Sequence, residues 1–236
     1  MKKPGTDPKP GNGENRGPSP SAAPPIEQYY SKRAAEYEQI YEKPERQHEL
    51  EWLRRRIPEI FAGRTVLEVA CGTGYWTQFI ARKAARVHAC DINEAVLEIA
   101  REKPIPKERV DFFKADAISL EGVPHGCDAA FAGFWWSHVK KSDLALFVRN
   151  LAAHVEPGAL VGILDNTYAE GSSTPISRRD PEGNTYQMRK LANGEEYEVL
   201  KNFPGALELA EAVRPVAREA HLESLRYYWL LVFRLK

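Results

Sequence analysis

The stretch VLEVACGTGYW, residues 66–76, joins an apolar run to a turn of small residues and then to two large rings. Glu68, Ala70, Gly72 and Gly74 occupy every second position within it. A strand that ends in Gly-x-Gly and opens a helix lets a ligand approach the backbone, with helix N–H groups directed at it. The stretch therefore predicts a ligand-binding turn between a first strand and a first helix.

Short apolar segments alternate with helical segments around this turn. The predicted strands are TVLEVAC, RVHACD, VDFFKAD, CDAAFAGF and ALVGILDN; the predicted helices are residues 75–84, NEAVLEIAREK and KSDLALFVRNLAAHV. This alternation is typical of a parallel sheet with helices on both faces.

The segments on either side of the alternating core are less regular. A tyrosine-rich helix is predicted from residue 26, and a second over residues 45–57 that ends before Pro58. After residue 166 we predict a loop, a hairpin around Asn193 and Gly194, and a helix over about 204–219. The terminal LESLRYYWLLVFRLK reads as one long strand or a tight pair of strands.

Composition restricts the class of protein. The 236 residues are 43% hydrophobic, enough for one sizeable core. Lys+Arg and Asp+Glu are 33 each, and this balance argues against a nucleic-acid partner, which usually requires an excess of basic residues. Cys71, Cys90 and Cys127 lack metal-ligand spacing, and we expect a reduced, cytoplasmic protein without a metal. Residues 1–25, rich in Pro, Gly, Ser and Lys, are predicted to be disordered.

Acidic residues end the second and third predicted strands. Asp91 closes RVHACD, and Asp116 closes VDFFKAD. In a doubly wound sheet these ends lie at the same edge as the glycine turn, where an acid can accept ribose hydroxyls and another can meet an adenine amino group. Thr77 replaces the last glycine of the dinucleotide pattern, and Tyr75 and Trp76 crowd the turn. The pattern favours an adenosine ligand without a pyrophosphate.

These segments together resemble class I S-adenosylmethionine-dependent methyltransferases. LEVACGTG is similar to their glycine motif, Asp/Glu-x-Gly-x-Gly-x-Gly, with Ala70 in place of the first glycine. Asp91 matches the ribose-binding acid, and Asp116 lies in a match to the adenine-binding segment. FWWSHV resembles the segment that borders the active site, EPGALVGI the turn before the fifth strand, and YYSKRAAEYEQIY the N-terminal cap. The resemblance covers about residues 26–166.

The resemblance implies an α/β fold that is Rossmann-like and doubly wound, with a mostly parallel seven-stranded sheet, an antiparallel C-terminal strand and an N-terminal helical cap. It implies one methyltransferase domain over residues 26–236, after the 1–25 tail. Within it we expect a cap at 26–57, a cofactor-binding core at 58–166, and a substrate-side insertion with the C-terminal strands at 167–236.

The resemblance also implies site residues. The cofactor is expected to be S-adenosylmethionine, converted to S-adenosylhomocysteine. Its expected contacts are Tyr29, Tyr37, Glu68, Ala70, Gly72, Gly74, Trp76, Asp91, Ile92, Asp116, Ala117 and Phe134. The expected acceptor pocket holds Trp135, Trp136, Tyr168 and Tyr186, whose rings suit a cationic amine or a flat acceptor. His138 is the expected general base.

The expected reaction is methyl transfer to N, O or S of a small molecule, with no membrane partner. Three alternatives remain open. A methyltransferase for RNA or protein could use Arg54–Arg56 with Arg178 and Arg179 as a basic patch. A nicotinamide-dependent oxidoreductase is disfavoured by Thr77, and a non-catalytic S-adenosylmethionine-binding protein needs no base. The acceptor and the oligomeric state are left open.

Overall fold

A computed structural model describes Met1 and residues 33–236, without the side chains of residues 34–37. The predicted tail at 1–25, the start of the cap and Tyr29 lie outside the described residues. The strands are β1 Thr65–Val69, β2 Arg86–Asp91, β3 Val110–Lys114, β4 Ala129–Gly133, β5 Leu160–Asn166, β6 Arg178–Arg179, β7 Thr185–Lys190, β8 Glu196–Leu200, β9 Ala217–Ser224 and β10 Tyr228–Leu235.

Seven strands form one sheet in the order β3-β2-β1-β4-β5-β10-β9. The first five are parallel to one another, and β10 is antiparallel to both β5 and β9. The strand order reverses between β1 and β4, which places a crevice at the carboxyl ends of these strands. The predicted Rossmann-like fold, with one antiparallel C-terminal strand, is confirmed.

Helices cover both faces of this sheet. They are α-helices Gln47–Ile60, Thr77–Ile80, Glu94–Glu102, Leu144–His154 and Ala206–Val213, and 3-10 helices Ala34–Tyr41, Pro44–Arg46 and Trp136–His138. Alternate residues of β1 face opposite cores: Leu67 and Val69 pack on one side of the sheet, and Val66 on the other. None of the helices in the described chain has the length and apolar character needed to cross a membrane.

A second sheet, in the order β6-β7-β8, is built from the segment after β5. Its hairpin turns at Asn193 and Gly194, as predicted, and Gly194 has a φ of +89° that suits glycine. A buried network fixes it to the main sheet. Lys201 Nζ donates to Asp165 Oδ1 at 3.0 Å and to Ser137 Oγ at 2.6 Å.

Three helix predictions have wrong boundaries. The helix predicted over residues 75–84 spans only Thr77–Ile80. The helix expected to stop before Pro58 continues to Ile60; Pro58 removes one i→i−4 hydrogen bond but is buried beside Ile57 near the end of the helix. The helix expected to reach residue 219 ends at Val213, two residues before Pro215. Residues 217–224 instead pair with β10, a long-range contact that local periodicity cannot indicate.

Candidate functional site

The turn after β1 has a left-handed backbone. Gly72 has a φ of +56° and Gly74 a φ of +73°, and a Cβ on Gly74 would lie 3.1 Å from Ala100 Cβ. Ala70 adopts a φ of +51° without being a glycine. For an L-residue that conformation costs roughly 1–2 kcal/mol. The departure from the family pattern at Ala70 is therefore tolerated at a cost in strain.

Asp91, at the end of β2, fixes the geometry of this turn. Its Oδ2 accepts from Gly72 N at 2.9 Å, and its Oδ1 accepts from Asn93 N at 2.9 Å. Asn93 in turn caps the helix Glu94–Glu102 by accepting from Ala95 N. One carboxylate thus holds the glycine turn against the start of the next helix.

Glu68 is a buried acid with an incomplete set of partners. Its side chain is 2% exposed, and its Oε2 has no hydrogen-bond partner among the described residues. Burial raises the pKa of Glu68 to about 8, against a smaller lowering by the neighbouring Thr77 hydroxyl. A cationic ligand group beside Glu68 would favour its ionised form.

The three predicted acids converge around one thiol. Burial, with smaller contributions from Asp91, Glu68 and Asp116, raises the pKa of Cys90 to about 12. Asp116 follows β3 and accepts from two turn amides, Ile118 N at 2.9 Å and Ser119 N at 2.7 Å, through Oδ1. The structure therefore brings the acids to one edge, and it also gives Asp116 a structural role.

The remaining predicted cofactor residues lie along the same edge. Ile92 follows β2 and is half-buried, whereas Ala117 is buried directly after Asp116. Phe134 follows β4 and is buried with a φ of +59°. Trp76 is buried at the start of the helix Thr77–Ile80. Their roles as cofactor contacts stay predictions.

The cap docks on the glycine turn through Tyr41 and Glu38. The ring of Tyr41 stacks on Tyr75 with centroids 3.5 Å apart. Thr73 Oγ1 donates to Glu38 Oε1 at 2.7 Å, and Lys103 Nζ lies 2.7 Å from the same oxygen. Tyr37, the expected cap residue, lies in the helix Ala34–Tyr41, but its side chain is outside the described part. Tyr41 and Glu38 were not anticipated from the sequence.

A cavity of about 80 Å³ opens beside this edge, with room for several water-sized groups. It lies where the cap, the ends of β4 and β5, and the second sheet meet. Its lining is rich in cationic and hydroxyl side chains: Arg33, Ile40, Tyr41, Lys43, Arg46, Phe134, His138, Asn166, Ser172, Ser173, Thr174, Gln187, Arg189, Val199, Lys201, Phe203 and Tyr228.

His138 lines this cavity, as its predicted position implies. Its Nδ1 lies 2.7 Å from the carbonyl oxygen of Leu200, so Nδ1 carries the proton in that bond. Burial lowers the pKa of His138 well below its usual value, and the nearby cations Lys201, Arg189 and Arg33 lower it further. The imidazole is therefore neutral at pH 7 and a weak proton acceptor. Its role as general base stays a prediction, which this environment opposes.

The four aromatic residues predicted for the acceptor pocket do not line this cavity. Trp136 is 1% exposed and packs edge-on against Phe147 and Trp229 in the core, because its side chain faces the opposite side of the sheet segment. The half-buried ring of Trp135 packs against the same core. Neither ring lines the cavity described above, and the predicted role of Trp135 and Trp136 in an acceptor pocket stays a prediction.

Tyr168 and Tyr186 also lie off the cavity. Tyr168 is exposed, and its ring packs edge to face against the ring of Phe203, a residue that lines the cavity, with the ring centroids 5.2 Å apart. The hydroxyl of Tyr186 donates to Asp180 Oδ2 at 3.0 Å, and the Arg178 guanidinium covers its ring at 3.8 Å. Tyr186 belongs to a surface contact of the second sheet, whereas Tyr168 lies in the loop after β5. Their predicted role in an acceptor pocket stays a prediction.

The basic runs are engaged within the protein. Arg54 donates to the Tyr75 hydroxyl at 2.6 Å, Arg55 pairs with Glu51 at 3.5 Å, and Arg178 pairs with Glu198 at 2.7 Å. Within the described residues, no group of His, Cys, Asp or Glu has a metal-binding arrangement. No contact of these residues favours a nucleic-acid surface.

Comparison with known proteins agrees with this geometry. A family described as "Methyltransferase domain" matches residues 66–158. "Methyltransferase GfsG" of Streptomyces halstedii is 28% identical over 156 residues, covering 64% of this chain and 54% of that protein. "2-phytyl-1,4-naphtoquinone methyltransferase" of Thermosynechococcus vestitus is 27% identical over 131 residues, covering 54% of this chain and 55% of that protein. The chain spans about half the length of these curated relatives.

Solved structures extend the likeness across the chain. "DhpI-SAH complex structure" is 26% identical, with a TM-score of 0.69, and covers 89% of this chain and 94% of that one. The matched domain includes β1, β2, β3 and β4, which carry the glycine turn, Asp91 and Asp116. Residues 66–158 thus match a methyltransferase domain, and the fold of the chain is similar to that of a protein solved in complex with S-adenosylhomocysteine.

Proposed function

We propose that this protein transfers the methyl group of S-adenosylmethionine to N, O or S of a small-molecule acceptor. The proposal is carried by one observation: the glycine turn, Glu68 and Asp91 meet at the sheet edge beside the cavity bordered by Phe134. An α/β sheet binds ligands at this edge. The relatives named as methyltransferases support the same activity.

The residues present fit the proposed cofactor. Asp91 would hold the ribose hydroxyls, because its carboxylate is already oriented by two backbone N–H groups. Glu68 would meet the methionine ammonium, since its Oε2 is buried and has no hydrogen-bond partner in the described chain. Ile92, Asp116 and Ala117 would surround the adenine.

The chain's own contribution would be positioning. When bound, the cofactor supplies a methyl group already activated by a sulfonium. The stacked Tyr41 and Tyr75 close the cap over the glycine turn, and the buried Phe134, which lines the cavity, packs edge to face against Tyr41. Holding an acceptor in line within a dry site is worth a large part of such a barrier.

The proposal includes the class of acceptor and the location. One relative's name specifies a naphthoquinone, a small molecule, which supports a small-molecule acceptor here. The free thiols of Cys71, Cys90 and Cys127 support a reducing, cytoplasmic compartment. The neutral overall charge supports the absence of a nucleic-acid partner.

The test is titration calorimetry of Asp91→Ala with S-adenosylhomocysteine. Loss of hydrogen bonds to a charged acceptor should weaken binding by roughly thirtyfold or more. Glu98→Ala is the matched control, because Glu98 is an exposed acid on the helix that follows Asp91. Its affinity should equal that of the wild type.

Two results would overturn the proposal. One is an Asp91→Ala protein that binds S-adenosylhomocysteine as tightly as the wild type. The other is a wild type that binds NAD more tightly than S-adenosylhomocysteine, which would support the oxidoreductase alternative. A wild type that binds the cofactor but methylates none of a broad acceptor panel would favour the non-catalytic alternative.

A further inference from the structure

The three consecutive arginines of the helix Gln47–Ile60 do not share one environment. Arg55 and Arg56 are exposed, whereas Arg54 is half-buried. The Nε and Nη2 atoms of Arg54 both donate to the Tyr75 hydroxyl, at 2.9 Å and 2.6 Å. Two N–H groups of one planar guanidinium hold a single oxygen in a more fixed position than a flexible ammonium group can. Of the three arginines, Arg54 is therefore the one with a defined target inside the protein.

The target of Arg54 is a ring that directly follows the glycine turn. Tyr75 is 8% exposed, and it stacks on Tyr41 with an angle of 6° between the two ring planes. Burial raises the pKa of Tyr75, against a smaller lowering by Arg54, so the hydroxyl keeps its proton and accepts from the guanidinium as a neutral group. The Tyr75 ring is thus held at its face by Tyr41 and at its hydroxyl by Arg54.

Both of these contacts come from one connected part of the cap. Tyr41 ends the 3-10 helix Ala34–Tyr41, and Arg54 lies on the α-helix that follows. Gln47 joins the two helices, because its Nε2 donates to the carbonyl oxygens of Tyr41 at 2.7 Å and Lys43 at 3.0 Å. A movement of either helix would therefore pull on the same tyrosine ring.

The cap also holds the turn on the other side of Gly74. Thr73 donates to Glu38 of the cap at 2.7 Å, so the residues immediately before and after Gly74 are both held by the cap. Glycines with a positive φ let a ligand approach the backbone closely. A ligand at this turn therefore meets a backbone whose shape depends on the position of the cap.

Resting on the proposed methyl transfer, we propose that Arg54 is a positioning residue for cofactor binding, which acts through the Tyr75 hydroxyl to hold the cap closed on the glycine turn. Its effect reaches the turn through the stacked rings of Tyr75 and Tyr41. A contact that favours the closed cap raises the affinity of a ligand bound beneath it by the same free energy. Loss of the contact should therefore speed dissociation of the cofactor and leave association almost unchanged.

Two other roles for Arg54 predict different results. A residue that only stabilises the fold would lower the free energy of unfolding and leave cofactor affinity unchanged. A cation that attracts the cofactor's carboxylate directly would need its charge but would not need the Tyr75 hydroxyl. Removal of that hydroxyl therefore separates the proposal from both.

The experiment measures S-adenosylhomocysteine affinity by calorimetry and its dissociation rate by stopped-flow fluorescence in Arg54→Met, Tyr75→Phe and the double variant. Each single variant should bind roughly tenfold more weakly through faster dissociation, the scale of charge-assisted hydrogen bonds lost at a half-buried position. The double variant should bind no more weakly than either single one, because both substitutions remove the same contact. Arg54→Lys, which keeps one donor group, should lie between Arg54→Met and the wild type. Tyr75→Phe retains the stacked ring, so the test stays decisive if Arg54→Met does not fold.

Arg55→Met is the matched control, because Arg55 is the neighbouring arginine on the same helix and its side chain is 72% exposed. It should bind S-adenosylhomocysteine as the wild type does. The proposal is overturned if Arg55→Met loses as much affinity as Arg54→Met, or if Tyr75→Phe keeps the affinity that Arg54→Met loses. It is also overturned if the two single losses add in the double variant.

The result for the wild type separates this inference from the proposed function. A wild type that binds S-adenosylhomocysteine, with variants that bind it equally well, rejects the role of Arg54 alone. A wild type without affinity for S-adenosylhomocysteine rejects the proposed function and the role of Arg54 with it.

Discussion

The two sides of the crevice carry opposite charge and are built in opposite ways. On the β1–β3 side, Glu68, Asp91 and Asp116 stand at consecutive strand ends within about fifty residues of sequence. On the other side, Lys43 of the cap meets Ser172 of the loop after β5, 129 residues away. The acidic side is a local motif repeated along the chain, whereas the basic side exists only after folding. A local sequence motif therefore predicts the cofactor-binding edge more readily than it predicts the residues that would contact the acceptor.

The largest expected effect is on stability, and it tests the buried ion pair between Lys201 and Asp165 beneath the basic side. Lys201→Met should lower the free energy of unfolding by about 3–5 kcal/mol, because it leaves the Asp165 carboxylate buried without its cation. Chemical denaturation measures this loss. The double variant Lys201→Met/Asp165→Asn should recover a large part of it, while Lys190→Met should change stability by less than about 0.5 kcal/mol. A double variant no more stable than the single one would show that Asp165 is not the uncompensated group.

The next effect tests the acidic side through pH. The pKa of Glu68 is raised to about 8 in the folded protein, so the unfolded chain ionises first. The folded state then holds more protons between about pH 4.5 and 8, and stability falls as pH rises through that window, by up to about 1.4 kcal/mol per pH unit.

Glu68→Gln cannot ionise, so its stability relative to the wild type should grow from pH 5 to pH 8 in the protein without cofactor. Urea denaturation at several pH values measures the difference, with the exposed Glu98→Gln as control. Parallel pH curves for wild type and Glu68→Gln would show that Glu68 is ionised in the folded state.

The smallest expected effect is on the docking of the cap, which Glu38 holds against Thr73 and Lys103. Glu38→Gln weakens the contact with Lys103 and Thr73, and because Glu38 is over a third exposed the loss should be about 1 kcal/mol. Amide hydrogen exchange in residues 34–46 should then be roughly fivefold faster, with the central strands unchanged. The exposed Glu42→Gln on the same segment is the control. Added S-adenosylhomocysteine should slow exchange there in the wild type, as expected of a lid; equal exchange in Glu38→Gln and wild type would contradict the docking role.

The sequence was sufficient for the fold and for the acidic side, because both depend on features a few residues apart. Strand alternation predicted the sheet, and Asp91 and Asp116 followed from their positions at strand ends. The predicted end of the last helix was wrong because residues 217–224 pair with the distant strand β10 instead of continuing the helix. The packing of Trp136 was not predictable for a related reason: residue type and position gave no indication of which core its ring would join.

The basic cavity had no comparable signal. Lys43, Arg189 and Lys201 belong to three segments, and each alone resembles an ordinary surface cation in a chain with balanced charge. Arg46 and Lys201 differ from ordinary surface cations only in the folded protein, where both side chains are buried. The hint available was the apolar alternation of β8, which predicts that a residue near its end faces inward.

The acid cluster around Cys90 also determines how the protein responds to thiol reagents. Burial raises the pKa of all three cysteines, and Glu68 and Asp91 raise that of Cys71 in the glycine turn as well. The thiolate, not the thiol, is the nucleophile that attacks alkylating agents and methyl donors. A protein that handles an electrophilic methyl group thus keeps its own sulfur atoms protonated and enclosed. Because the three native cysteines are buried, a thiol-reactive probe should label them poorly, and a single cysteine introduced on the cap should be the main site of labelling.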